Sequence, residues 1–474
     1  MTNQTNSTLL LLTLVAFILG GCAVGPDYMR PSMDTPATYK EAQGWKIAEP
    51  RDEISRGNWW EIYGDPELNS LVQQVEVSNQ NVRAAEAQYR QALALLSVAR
   101  ASYFPALSAG ASSTRGQGTS ASPATGATVA SPGAPIRNTD RLSLSASWEA
   151  DVWGRIGRNV ESNDASVVAS AADLQAALLS AQSALVQSYL QLRINDAQRR
   201  LFEQTIVAYD RSLQITRNRY EAGVAARLDV VQAETQLKSA QAQAIDLGVQ
   251  RAQLEHAIAM LIGKAPANFQ IKPTDSIPTL PDIPIGLPTE LLERRPDIAG
   301  AERRIAAANA QIGIAQATFF PALTLNATGG YQSSSFSQLL TQPNQFWSLG
   351  PSLALTLFDA GARSAQKELA IASYDKSVDT YRQTVLAAFQ EIENNLAALR
   401  ILANEEEAQK AAAVLAAEAW DIADNQYKSG TVSYLNVVIA QATAFATARS
   451  RLDITSRRLV ASAVLLTALG GGWR

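Results

Sequence analysis

The sequence predicts a mainly α-helical protein with a small membrane β part, built as a duplicated helix–hairpin–helix–helix repeat. Three observations carry this. The chain aligns with itself, each half holds a proline-poor run of 67 residues, and short stretches before those runs alternate apolar with small polar side chains. The self-alignment is clear at two places. NVRAAEAQYRQALALLSVARASYFPAL (81–107) matches DIAGAERRIAAANAQIGIAQATFFPAL (297–323) at an offset of 216, with ten of 27 positions identical. RYEAGVAARLDVV (219–231) matches QYKSGTVSYLNVV (426–438) at an offset of 207, and Gly154 pairs with Gly361 at that same offset. The difference of nine residues must fall between Pro105 and Gly154, in a stretch of Ser, Gly, Pro, Ala and Thr that reads as an exposed loop.

The N-terminus is a targeting segment. Residues 9–19, LLLLTLVAFIL, form an apolar run too short to span a membrane but of the right length for a signal-peptide core. The run ends in LGGC, small residues ahead of the only cysteine, so residues 1–21 read as a lipoprotein signal peptide and Cys22 as the lipidated first residue of the mature chain. Acyl chains anchor without spanning. Residues 22–58 are then a lipidated extension, 59–271 the first repeat, 272–296 a linker with six prolines, and 297–474 the second repeat.

Within the first repeat a helix leads to a β-hairpin at about 102–153, a long helix at 154–220, a turn at Gly223 and a helix to about 264. The second repeat has its hairpin at about 319–360, its long helix at 361–427, a turn at Gly430 and a helix to about 469. A 67-residue helix reaches roughly 100 Å, far more than a compact domain needs. LSLSASWE (142–149), LTLNAT (323–328) and SLALTLF (352–358) alternate with period two, the pattern of outer-membrane strands. Aromatic residues bracket them: Tyr103, Phe104, Trp148, Trp153, Phe319, Phe320, Trp347 and Phe358.

Four strands cannot close a barrel, and an open edge in lipid leaves backbone groups unpaired. Closure therefore needs several chains. Two would give eight strands around a filled lumen; three would give twelve and room for a duct. The small residues assigned to the inner face (Ser143, Ser145, Ser147, Thr324, Asn326) favour the larger ring.

Composition narrows the function. The chain of 474 residues has a net charge of -4, which gives no electrostatic reason to expect nucleic acid. A single His (His256) and a single Cys leave neither a His-based metal site nor a catalytic triad, and an enzyme is the remotest reading.

CAVGPDY, WWEIYGDPELNSLV (59–72), DVWGRIGR (151–158) and LPTELLERRPDIAGAERRIAAANAQIGIAQATFFPAL (287–323) together resemble the outer-membrane factor family. These are TolC-type channel-tunnels, and the likeness is to the lipoprotein branch serving tripartite multidrug efflux pumps. The resemblance covers essentially the whole mature chain. It implies a homotrimer with a 12-stranded β-barrel continuous with a long α-helical barrel, anchored in the outer membrane and extending into the periplasm. It also implies a periplasmic adaptor (membrane fusion protein), a proton-driven inner-membrane transporter of the RND type, outer-membrane lipid around the barrel, and no cofactor beyond the lipid on Cys22.

The implied function is a passive exit duct for drugs, solvents or other small toxic compounds, opened by docking at the helix tips. The alternatives are a duct for secreted proteins or metal ions, and a structural coiled-coil lipoprotein without a pore. By resemblance Leu435 is the apolar constriction, and Asp229 and Tyr427 belong to a closing network between neighbouring helices. Relatives often carry aspartates where this chain has Asn436 and Ile439, and an arginine where it has Gln426 or Val432. A more apolar, less cation-sensitive gate is expected. Trp59 and Trp60 read as packing anchors, and the cluster Arg294, Arg295, Arg303 and Arg304 as a solvated helix face with Glu293 and Glu302.

Overall fold

The computed structural model describes residues 24–33, 36, 38–41, 58–117, 136–274, 276–281, 283 and 294–471. The signal peptide, Cys22, the loop at 118–135, and linker residues 275, 282 and 284–293, Glu293 among them, lie outside the described residues. The helices are α1 (Pro66–Ser78), α2 (Gln80–Ala101), α3 (Arg155–Glu221), α4 (Arg227–Leu261), α5 (Pro296–Ala317), α6 (Ala362–Lys428) and α7 (Tyr434–Ala468). The strands are β1 (Ala106–Gln117), β2 (Ile136–Ala150), β3 (Ala322–Ser333) and β4 (Gln345–Ala354).

The duplication extends to most elements, although α1 has no counterpart among the described residues and β2 (15 residues) is longer than β4 (10 residues). α2 and β1 recur as α5 and β3 at an offset of 216, while α3 and α4 recur as α6 and α7 at 207. The compact units nevertheless do not follow the repeats. One takes residues up to Pro31, Arg90–Ala169 and Glu302–Thr380; the other takes Ser32–Tyr89, Ser170–Ala301 and Tyr381–Arg474. Each unit draws on both repeats, and the two larger apolar clusters each combine residues of both halves.

In the first unit the four strands form one antiparallel sheet in the order β1-β2-β3-β4. The two hairpins are joined edge to edge through β2 and β3, with Leu144 opposite Gly329 and Trp148 opposite Leu325. β4 stops at Ala354, so the expected strand through 352–358 is shorter than its alternation suggested. Its partner β3 begins at Ala322, directly after Pro321, which has no N–H for the ladder. Leu355–Phe358 therefore have no partner on β3 among the described residues.

The sequence DVWGRIGR sets the start of α3. The Asp151 carboxylate accepts from the Ile156 and Gly157 backbone N–H groups at 2.9 and 2.6 Å, capping the helix. Arg155 clamps Glu149 with two bonds of 2.9 and 2.6 Å. Arg158 is buried against Asp27 at 2.9 Å and Glu161 at 2.8 Å. The N-terminal GPDY segment is held by the same elements. Val24 N–H donates to Trp153 O at 3.1 Å, Asn309 Nδ2 to Pro26 O at 2.8 Å, and Tyr28 to Glu302 at 3.3 Å. Gly25 (φ 110°) passes so close to Gly313 that a Cβ on it would stand 2.5 Å from the Gly313 Cα.

The second unit is helical. Trp59, Trp60 and Tyr63 are buried with Leu68, Val72 and Val75 of α1 and the C-terminal turns of α4 and α7. The packing reading of the two tryptophans is what the structure has. Beneath them lies a charged network. Arg193, 2% exposed, donates to Glu67 at 2.5 Å, to the Tyr189 hydroxyl at 2.7 Å and to Lys272 O at 3.1 Å. Tyr189 in turn donates to Asp65 at 2.6 Å. Burial, then the Asp65 bond, pushes the Tyr189 hydroxyl well above its ordinary range. Asp196 joins Arg193 to Arg251, which reaches Ile271 O at 2.7 Å.

Arg295 corrects an expectation. Instead of solvating a helix face it is mostly buried, bonded to Asp297, to Glu391 of α6 at 2.7 Å and to Ala468 O of α7 at 3.1 Å. The carbonyl lies at the C-terminal end of α7, where a cation is favoured.

Candidate functional site: a sheet with two faces and a pair of helix tips

The register of the sheet sorts its side chains into two faces. Opposed residues share a face, so Leu107, Leu142, Leu144, Trp148, Leu325, Leu349 and Leu353 fall together. Ser108, Ser143, Ser145, Ser147, Thr324, Asn326, Thr328, Ser348 and Ser352 make up the other face. The apolar face is solvent-exposed in a single chain: Leu107 is 71% accessible and Leu349 72%. An apolar sheet face of this size is covered in the functioning molecule. Aromatics stand at both ends of it. Trp148 donates to Tyr103 O at 2.9 Å, Trp153 stacks on Phe320 at 4.7 Å and donates to Pro321 O, and Trp347 sits at the loop end of β4. β1 and β4 each leave one edge unpaired among the described residues.

The second unit presents the two tips. α3 and α6 end in the same way. Gly223 (φ 74°) and Gly430 (φ 81°) take the left-handed conformation that a side chain resists. Their N–H groups reach Tyr220 O and Tyr427 O at 2.9 and 3.0 Å, and the next residues bond to Arg219 O and Gln426 O. The tips share a core of Tyr209, Leu213, Leu237, Tyr427, Tyr434 and Val437. Tyr434 shares a hydrogen bond with Ser212 at 3.2 Å, and its ring lies 5.2 Å from that of Tyr427. Burial raises the Tyr434 hydroxyl pKa, Ser212 opposes this, and Tyr427 and Asp229 add to it. Tyr209 is pushed to about 12, by burial first and then by Tyr434.

Leu435 and Ile439, one turn apart on α7, are 49% and 56% exposed. Asn436 beside them is exposed too. The twin of Leu435 on α4, Leu228, is likewise exposed, whereas the twin of Ile439 is the half-buried Gln232. Asp229 and Tyr427 are not joined within a chain. The Asp229 carboxylate accepts from the Ala226 N–H at 3.3 Å, as the third residue of a helix readily does, and the buried Tyr427 hydroxyl has no partner among the described residues.

What holds the tip instead is Arg219, a residue that sequence reasoning missed. Its guanidinium lies 4.6 Å from the Tyr427 ring centroid and donates to Tyr427 O at 3.0 Å and Lys428 O at 3.3 Å. It thereby caps the C-terminus of α6 from α3. The only hint was that its twin is Gln426, an uncharged residue at the matching position.

His256 is exposed on α4, and no group of three or more metal-binding side chains occurs among the described residues. No described helix is long and apolar enough to cross a membrane. An exposed apolar sheet face bounded by aromatics, opposite a small polar face, defines one segment of a membrane barrel wall, and the fold is that of a TolC-type outer-membrane channel. The family model for "Outer membrane efflux protein" matches residues 71–264 and 287–471. Two proteins of Pseudomonas putida, the "Antibiotic efflux pump outer membrane protein ArpC" and the "Toluene efflux pump outer membrane protein TtgC", are each 30% identical over 468 residues, covering 98% of this chain and 96% of their own. The solved outer-membrane channel OprN superposes with a TM-score of 0.88 at 30% identity, covering 95% of this chain and all of its own. The chain belongs to the outer membrane efflux protein family and has the role of an outer-membrane efflux duct.

Proposed function

We propose that three copies of the chain close a twelve-stranded barrel whose apolar face meets lipid, and that the ring is a passive exit duct for drugs and organic solvents. The observation that carries this is the four-stranded sheet with one apolar face and two unpaired edges. In lipid each unpaired edge group costs several kcal/mol, so neighbouring copies must supply β1 to β4. ArpC and TtgC, whose names specify antibiotics and toluene, support the cargo class. Export through the passive duct is energised by an inner-membrane, proton-driven RND-type transporter, reached through a periplasmic adaptor that docks at the Gly223 and Gly430 tips.

Leu435 and Ile439 of three chains form an apolar constriction, with Asn436 in place of a carboxylate. Single-channel recording in planar bilayers tests the whole reading. Wild-type protein should conduct weakly, and Leu435→Ala should raise closed-state conductance several-fold while divalent cations block it only slightly. Absence of any conducting species rejects the duct. Strong block by divalent cations, or a silent Leu435→Ala variant, rejects this gate alone.

Cys22 carries the anchor in this reading. Two residues beyond it, Val24 is bonded to Trp153, which stacks on Phe320 in the aromatic belt. Acyl chains on Cys22 would start at the level of the headgroups. Mass spectrometry of the mature protein should find a chain beginning at residue 22 with added lipid, lost on Cys22→Ser; an unmodified Cys22 in membranes would contradict it.

A further inference from the structure

The charges of the sheet are few and unevenly placed. From Ala322 to Phe358, both strands of the second hairpin and its loop, the sequence has no Asp, Glu, Lys or Arg. From Ala106 to Thr139 it has no acid. On the small polar face only three charged residues remain: Arg137, Arg141 and Glu149, all at odd positions of β2. Glu149 lies at the helix end and is neutralised by the two bonds from Arg155. Arg137 and Arg141 lie two repeats of the pleat apart at the loop end, with Thr139 between them and no acid beside them on that face.

Arg141 is also positioned. Its guanidinium lies 4.6 Å from the Phe346 ring centroid, across β3 from its own strand. What lets it reach is Gly330 on the same face, between Ser143 and Phe346. A Cβ at Gly330 would stand 2.0 Å from Leu142 O and 2.8 Å from the Ser143 Cα, so the position admits no side chain that could block the arginine's path. The side chain is thus laid along the wall, its charge held at the surface that faces the small polar residues.

We propose that Arg137 and Arg141 form a basic collar at the exit end of the duct that favours anions over cations. This rests on the trimeric duct reading, which would bring six such arginines to one ring with no carboxylate on the same face nearby. A ring of like charges within low-dielectric walls focuses its potential on the lumen. Cargo bearing carboxylate, sulfonate or phosphate groups would leave more readily than cationic cargo of the same size.

Reversal potentials of the purified trimer across a salt gradient test the collar. The double substitution Arg137→Gln with Arg141→Gln should lower the anion-to-cation permeability ratio by roughly threefold or more at low salt, the effect of about half a kT of potential on each ion. The difference should fade near about 1 M salt, where the Debye length is about 3 Å. Arg137→Lys with Arg141→Lys should keep the wild-type ratio, since it preserves charge and loses geometry. Arg137→Gln alone, at an exposed position, should shift the ratio part of the way, a check that survives if the double variant fails to assemble. An unchanged ratio in the glutamine variants, or an equal loss in the lysine variant, overturns the collar while leaving the duct intact. A wild-type protein that never conducts overturns the duct, and the collar with it.

Discussion

Replacing Arg193 by Ala is expected to cost about 3–5 kcal/mol of unfolding free energy, the range for removing one partner of a buried charge network. The residue is 2% exposed and serves Glu67, Tyr189, Asp196 and Lys272 O together, so its loss unpairs groups on three segments. Asp196 would keep Arg251 but lose its other cation. The guanidinium also covers the Tyr189 ring at 4.5 Å, so packing is lost along with charge. Arg199→Ala is the control. Its pair with Glu203 on the same helix is exposed at both ends and should be worth less than about 1 kcal/mol. Urea unfolding of the two variants decides: equal losses would mean that the network is held by something other than Arg193.

Replacing Arg219 by Gln should unfasten the end of α6. The clamp combines a stacked cation with two bonds to helix-terminal carbonyls, and the Tyr427 ring beneath it is buried. Such contacts sum to about 1–3 kcal/mol, a factor of roughly 5–150 in the equilibrium between a held and a released tip. Two readouts follow. Amide exchange at residues 424–431 should accelerate, and single-channel recordings should spend more time in high-conductance states. Tyr427→Leu, which removes the ring and keeps the carbonyl, should fall between wild type and Arg219→Gln. If exchange is unchanged in Arg219→Gln, the clamp does not hold the tip.

The fold was legible where a signal repeats. The offsets of 207 and 216 read from the sequence are those of the observed helices and of β1 and β3. Period-two alternation separated the two faces of the sheet because burial in lipid and exposure to water leave opposite marks on neighbouring residues. The end of β4 was not legible, since Leu355 and Leu357 continue the alternation and only the start of β3 decides where pairing stops. Contacts between distant segments were also hidden. Arg219 and Tyr427 stand 208 residues apart, and Arg295 looks like any surface arginine until Glu391 and Ala468 are beside it. A polar residue on a helix carries no sequence mark of what another helix brings to it.

The duplication sets a limit on symmetry. Six hairpins around a ring of three chains would stand in nearly equivalent places, joined alternately by the β2–β3 pairing within a chain and a β4–β1 pairing between chains. An undivided half-length ancestor would have repeated every side chain six times. Once the halves were fused, each could drift alone, and here one hairpin has Arg137 and Arg141 while its twin has Asn344 and Ser348 at the matching offset. In the proposed trimer the wall would be nearly sixfold in backbone but threefold in charge, so a molecule leaving the pore would meet a field with three lobes.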